Sequence, residues 1–289
     1  MMSIEFSYDI TKTFILNTKE FNDLSSLIYG NCGINLTPAK KVMLETRLAK
    51  RIRALQMESY GEYYDYVCSD IGRREEFQFM IDEVTTNKTD FFREPAHFEY
   101  LTQEILPAIY HSQQEKGRRK INIWSAACSS GEEPYSIAMT VSDFVNKYPG
   151  TDYSVLATDL SVKVLKKASI GIYTTQDVEP VPGKYRQKFV MKSKNPRANE
   201  VRIVPQLRSK ISFRQINFLD EFFPAKRNMD IIFCRNVLIY FDNKTKEKVI
   251  NRLCGNLRPG GYFFLGHSES LQGISTPLEQ LWPTVFTLK

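Results

Sequence analysis

The sequence predicts an α/β fold preceded by an all-helical domain, and three observations carry that expectation. Residues 18 to about 84 place apolar side chains at helical spacing with Gly, Asn and Pro between the runs. From about residue 119, short β-rich runs alternate with helical segments, which implies a mostly parallel sheet covered by helices on both faces. Residues 173–210 break the alternation with Pro180, Pro182, Gly183, Pro196, Pro205 and many basic residues, which predicts an insertion holding a small hairpin. The expected boundaries are an extension over 1–17, a helical domain over 18–84 and an α/β domain over 85–289.

In chain order, KEFNDLSSLIYGNCGI, TPAKKVMLETRLAKRIRAL, SYGEYYDYVCS and REEFQFMIDEVTT read as the helices of the first domain. KINIWSAA, YSVLATD, KISFRQI, MDIIFCRN and GYFFLG read as buried strands. PYSIAMTVSDFVNKY, SVKVLKKASIG and NKTKEKVINRLCGNL read as helices between them, with Ser161 as an N-cap and Gly171 as a stop. KFVMKS and EVRIVP form the predicted hairpin of the insertion, and PTVFTL predicts a final edge strand.

Composition narrows the function. Hydrophobic residues make up 42% and aromatic residues 12%, enough for a sizeable core. No apolar run approaches the roughly 18 residues of a membrane span, and the first residues do not look like a signal peptide. The expectation is a soluble, cytoplasmic protein. Five scattered cysteines without a CxxC pair argue against a zinc site or a disulfide framework. The net charge of +6 is compatible with nucleic acid, an anionic surface or an acidic protein partner.

The loop SAACSSGEEPYS, residues 125–136, joins a predicted strand to a helix, where nucleotide-binding folds cradle phosphate. It has one glycine, Gly131, followed by Glu132 and Glu133. A phosphate would meet like charge there. A cation without phosphate fits, and S-adenosyl-L-methionine has that chemistry. Asp159, ending the next strand, stands where ribose hydroxyls are commonly held. The plainer reading is that these acids only cap helix N-termini. Arg235, within Cys234-Arg235-Asn236 at the end of an apolar strand, is costly there unless paired or lining a cleft. His267, after LRPGGYFFLG, is alone in its loop and reads as structural.

TTNKTDFFREPAHFEYL, SAACSSGEEPYSIAM, ATDLSVKVLKKASIGIY, FCRNVLIYFD and LRPGGYFFLGHSESL together resemble the chemotaxis receptor methyltransferases of the CheR type, from about residue 20 onward. The resemblance implies a class I, Rossmann-like methyltransferase domain with a small antiparallel β insertion behind a helical domain. It implies methyl transfer from S-adenosylmethionine to glutamate carboxylates on chemoreceptor helices, leaving S-adenosylhomocysteine. Cofactor contacts map to Asn87, Thr89, Arg93, Glu133 (amino end), Asp159 (ribose), Asn217 and Phe218 (adenine), and Cys234 and Arg235. Arg93 is expected to orient the acceptor carboxylate, with Tyr240 helping by hydrogen bonding or, on the plainer reading, filling the core.

The helical domain is implied to dock the receptor. Lys40, Arg47, Lys50 and Arg51 fall on one stripe beside Leu44, Leu48, Ile52 and Leu55, although such stripes are often only solvated surface. The insertion segment KSKNPRANE lacks a glycine, which weighs against docking of a receptor tail. No metal is expected, and the protein is read as a monomer. Three rival readings stand beside this one: nucleic-acid methylation, for which CRNVLIYF lacks the [DNS]PP[YF] pattern; an NAD-dependent dehydrogenase, for which the glycine pattern is missing; and a non-catalytic S-adenosylmethionine-binding regulatory module.

Overall fold

The computed structural model describes residues 14–115, 120–148, 150–195, 198–221, 223 and 228–289. Most of the expected N-terminal extension (residues 1–13) and residues 196–197 of the insertion hairpin lie outside them. The chain divides into two compact units, up to Thr86 and from Asn87 onward.

The first unit is helical: α1 (Thr18–Cys32), α2 (Lys41–Ala54), α3 (Tyr60–Cys68), α4 (Asp70–Glu75) and α5 (Phe77–Val84). Asn17 and Glu20 form a reciprocal capping box at the start of α1, and Gly33 ends it in the left-handed region. Leu24, Ile28, Leu44, Leu48, Ile52 and Tyr63 are fully buried. Phe14 and Leu16, expected in an extension, belong to this core, and the Leu16 amide donates to Glu45.

The structure divides the helix expected over REEFQFMIDEVTT at Glu76. That side chain is 2% exposed, accepts the Tyr63 hydroxyl and pairs in two bonds with Arg51. A carboxylate turned inward like this has to be matched by charge and hydrogen bonds at the same place, and both are supplied.

The second unit holds α6 (Pro95–Tyr100), α7 (Leu106–Glu115), β1 (Lys120–Ala126), α8 (Glu132–Val145), β2 (Asp152–Asp159), α9 (Val162–Ile170), β3 (Ile172–Thr174), α10 (Gly183–Phe189), β4 (Val190–Lys192), β5 (Glu200–Ile203), α11 (Pro205–Arg208), β6 (Ile211–Gln215), β7 (Met229–Cys234), α12 (Asn243–Cys254), β8 (Leu257–Phe264), β9 (Leu278–Trp282) and β10 (Val285–Leu288). A π-helical turn, Leu101–Ile105, joins α6 to α7. Pro107 follows after one residue. It offers no N–H to the turn before it, which favours such a local widening.

The main sheet runs β6-β2-β1-β7-β8-β10-β9, parallel as far as β8 and antiparallel beyond. Ser161 and Gly171 start and stop α9 as the sequence predicts. All six residues of β7 are buried, and Phe233 stacks on Phe264 of β8 at 4.2 Å. The strand at PTVFTL is present but is not the edge: Val285–Leu288 pairs on both sides, and β9 lies outermost. The expected insertion contains a separate antiparallel sheet, β3-β5-β4, in which Val190–Lys192 and Glu200–Ile203 form the hairpin.

Candidate functional site

The parallel strands β1, β2 and β7 end side by side, and their C-terminal loops carry the acids that the sequence singles out. Asp159, 8% exposed, closes β2. Its two carboxylate oxygens accept the amides of Ser129 and Ser161 at 2.8 and 2.9 Å. Those contacts fix the orientation of the carboxylate at the strand end. Glu133, in the first turn of α8, accepts the Ser125 hydroxyl at 2.7 Å and faces Arg235 at 3.4 Å. Burial pushes the Glu133 carboxyl up, opposed by the Arg235 charge and the Ser125 hydrogen bond. Glu132 is also inward, held by the Ser130 hydroxyl, and burial raises it too.

Arg235 is 5% exposed. It donates to the Arg93 carbonyl and to Glu94 at 2.9 Å, and its guanidinium lies 5.9 Å over the Phe98 ring. Its cost at the end of a buried strand is thus met by two carboxylates and a carbonyl. The Glu94–Arg235–Glu133 triad bears a formal charge of −1 in a largely dehydrated place, which suits a cationic ligand.

Glu94 is the tether that the sequence reasoning missed. It accepts the His267 amide at 3.1 Å and the Asn236 side chain at 3.3 Å. Burial works against its ionised form, yet Arg235 and these hydrogen bonds hold its carboxyl below the usual range. The signal was present as the last letter of FFRE, just ahead of Pro95. Glu269 escaped notice as well; it accepts the amides of Asn236, Leu238 and Gly266, binding the turn after β7 to the turn after β8. A Cβ on Gly266 would stand 2.4 Å from the Asn236 side chain and 2.9 Å from its backbone nitrogen, so only glycine allows this approach.

Backbone strain gathers here. Phe92, Glu94, Ala127, Ser129 and Asn236 all have positive φ without being glycine. Each such conformation costs about 1–3 kcal/mol and persists only where its surroundings over-determine it. In the loop after β1, Ala127, Ser129 and Gly131 (φ +100) let the chain turn sharply from strand to helix.

The remaining predicted residues divide into those tied to this centre and those beside it. Asn87 is half-buried, and its carbonyl accepts the Ser129 hydroxyl. Thr89 is half-buried in the same loop. Arg93 is half-buried, donates to the Lys88 carbonyl at 3.2 Å, and through its own carbonyl is tied to Arg235. Cys234 is fully buried, and burial drives its thiol well up, so it offers backbone rather than sulfur chemistry. Asn217 folds its side chain onto the Leu219 amide, in the loop that the Ile216–Asp159 backbone bond joins to β2. Phe218, 8% exposed, packs edge-on against Phe241. Tyr240 ends the 3-10 turn Leu238–Tyr240 and is half-buried, not a core aromatic.

A strained strand–helix loop with acids on two neighbouring strand ends, and no glycine-rich phosphate cradle, matches a sulfonium cofactor better than a dinucleotide. Comparison with known proteins agrees. Residues 87–286 match the family model "CheR methyltransferase, SAM binding domain", and residues 19–85 match "CheR methyltransferase, all-alpha domain". The chain belongs to the CheR methyltransferase family. This CheR-family protein is 34% identical over 268 residues to a chemotaxis protein methyltransferase of Borreliella burgdorferi, covering 92% of this chain and 93% of the relative. It is 35% identical over 279 residues to the chemotaxis protein methyltransferase of Escherichia coli (96% and 94% covered), and 35% over 274 residues to chemotaxis protein methyltransferase 2 of Pseudomonas aeruginosa (95% and 94%). Its second unit is an S-adenosylmethionine-binding methyltransferase domain.

In the helical unit, two members of the predicted basic stripe are spent internally. Arg47 donates to the carbonyls of Val84 and Thr85 and to Thr86, and Arg51 pairs with Glu76. Lys40 lies in the 3-10 turn Pro38–Lys40 ahead of α2 and is exposed, and Lys50, 67% exposed, pairs with Glu83 at 3.7 Å. No helix among the described residues is long and apolar enough to cross a membrane.

Proposed function

We propose that this protein methylates glutamate side chains on the cytoplasmic helices of chemoreceptors, forming methyl esters and S-adenosylhomocysteine. The names of its relatives point to a chemotaxis substrate. The observation that carries the reading is the pair of fixed acids, Asp159 at the end of β2 and Glu133 in the helix turn that follows β1, beside the Arg93 loop.

S-adenosylmethionine, when bound, supplies a methyl carbon made electrophilic by its sulfonium. The protein's residues do the rest. Asp159, already oriented by two amides, takes the ribose hydroxyls. Glu133 takes the ammonium, completing the charge balance of the triad. Asn217 and Phe218 flank the adenine, with Asn87, Thr89 and the backbone at Cys234 lining the cofactor. The acceptor glutamate is ionised at neutral pH, with a pKa near ~4.3, so no general base is required. Positioning is the main task, and holding the reacting atoms in line supplies roughly 7–11 kcal/mol in favourable systems. Arg93 presents a planar fork that orients the carboxylate, and Tyr240 adds a hydrogen bond. Contact with Arg93 has to orient the anion without quenching it.

The test uses S-adenosylmethionine labelled in the methyl group, this protein, and cytoplasmic fragments of chemoreceptors. Label on the receptor that alkali releases as methanol is the expected result. Cofactor binding with no transfer to any receptor fragment would overturn the enzymatic reading. Arg93→Ala should lower kcat by about 100-fold or more while changing cofactor affinity little; equal losses would make Arg93 a cofactor ligand only.

A further inference from the structure

His97 is fully buried, on α6, and its ring is packed edge-on to His267 at 4.8 Å. Its Nε2 lies 2.8 Å from the Thr284 hydroxyl, and that hydroxyl donates its own hydrogen to the Pro283 carbonyl at 2.7 Å. Thr284 therefore accepts, and Nε2 carries the imidazole proton. The other nitrogen, Nδ1, is left with a bare lone pair and no hydrogen-bond partner among the described residues. The Glu94 carboxylate oxygen Oε2 lies 3.4 Å from it. Two lone-pair atoms facing each other in a buried place are unfavourable unless something positive lies between them. His267 Nε2 stands 3.9 Å from the same Glu94 oxygen, and the three ligand atoms all lie within 4.8 Å of one another.

We propose that Glu94, His97 and His267 form a divalent transition-metal site, best suited to Zn²⁺, beside the methyl-transfer centre. Two imidazoles and a carboxylate are a borderline-soft donor set that leaves a fourth position open. Zinc–ligand bonds of about 2.0–2.2 Å in a tetrahedron place ligand atoms roughly 3.3–3.6 Å apart. The His97–Glu94 pair already has that spacing, and His267, 51% exposed, stands a few tenths of an ångström beyond it, at 3.9 Å from the same oxygen. The Nε2–H to Thr284 bond is the outer contact by which metal-binding imidazoles are oriented. Glu94 also accepts from Arg235, so a cation here would compete for the carboxylate that anchors the Arg93 loop. The absence of CxxC spacing in the sequence bears on cysteine sites only; two histidines distant in sequence and a glutamate form this one.

The test needs no methyl transfer. The full-length protein is stripped with chelator, dialysed and titrated with Zn²⁺ by calorimetry, and Co²⁺ is added in parallel to read the visible band of a tetrahedral complex. His267→Ala and His267→Asn are compared, with far-UV circular dichroism confirming that both fold, and His111→Ala serves as control. The site predicts one equivalent of metal. Loss of the His267 ligand should weaken binding beyond the ~100-fold that an outer-shell contact can cost, and His111→Ala should change nothing. No binding by the unaltered protein, or equal binding by the His267 variants, would overturn the site.

Discussion

Glu133 is the carboxyl proposed to take the cofactor's ammonium. Burial raises its pKa, so in the pH window between the ordinary carboxylate value and the raised one the folded protein holds a proton that the unfolded chain releases. Its contribution to stability is therefore fully present below that window and is lost as pH rises through it. Cofactor affinity should move the other way, strengthening as Glu133 ionises and can pair with the ammonium. Calorimetric Kd values measured against pH would show this slope. Glu133→Gln should flatten the slope and weaken binding by about 1.5–3 kcal/mol, the range of a hydrogen bond to a charged group. The residue types at this centre were legible because acids in a phosphate-type loop are anomalous. Glu269 was not, and for Glu94 only the position within FFRE was, since the tethering that both perform depends on loops that meet only in three dimensions.

The elements around these residues carry their own tests. Glu76 anchors Arg51 and Tyr63 inside the helical unit, and Glu76→Ala should cost about 3–5 kcal/mol in urea unfolding by leaving a half-buried guanidinium unpaired. Helical periodicity placed Arg47 and Arg51 on a basic stripe, but a wheel drawn for one helix contains no information about the carboxylate or helix end that a neighbouring element brings to it. At the joint between the β7 and β8 turns, Gly266→Ala should displace Asn236 and weaken S-adenosylmethionine binding, with far-UV circular dichroism little changed. The strand β9 went unread because LEQLW lies at the sheet edge, where Glu279 and Gln280 face solvent and the alternation of a buried strand disappears.

For the whole molecule, each unit has its own core, so the two activities are expected to separate. A fragment of residues 87–289 should bind S-adenosylmethionine with a Kd within about threefold of the full chain, yet methylate receptor far more slowly; comparable methylation would remove the docking role from the helical unit. Lys40 and Lys50 are the exposed members of the stripe, and Lys50 also pairs with Glu83 at 3.7 Å. Reversing both to Glu should raise KM for receptor and leave kcat nearly unchanged, and the effect should fade with added salt. The two-unit organisation was legible from sequence because a change of hydrophobic period from helical to alternating is a property of local segments.

The tethers of the candidate site join residues far apart in the chain: Arg235 to Glu133 and Glu94 across 102 and 141 positions, Glu94 to His267 across 173, His97 to Thr284 across 187. The helical unit closes shorter loops, such as 25 positions from Arg51 to Glu76. Loop closure has to precede such long-range contacts, and that slows their formation. After dilution from denaturant, ellipticity from the helical unit should therefore return in an early phase, while the ability to bind S-adenosylmethionine recovers in a distinct later one. During refolding there should then be an interval in which the helical unit has formed and the protein is still catalytically silent.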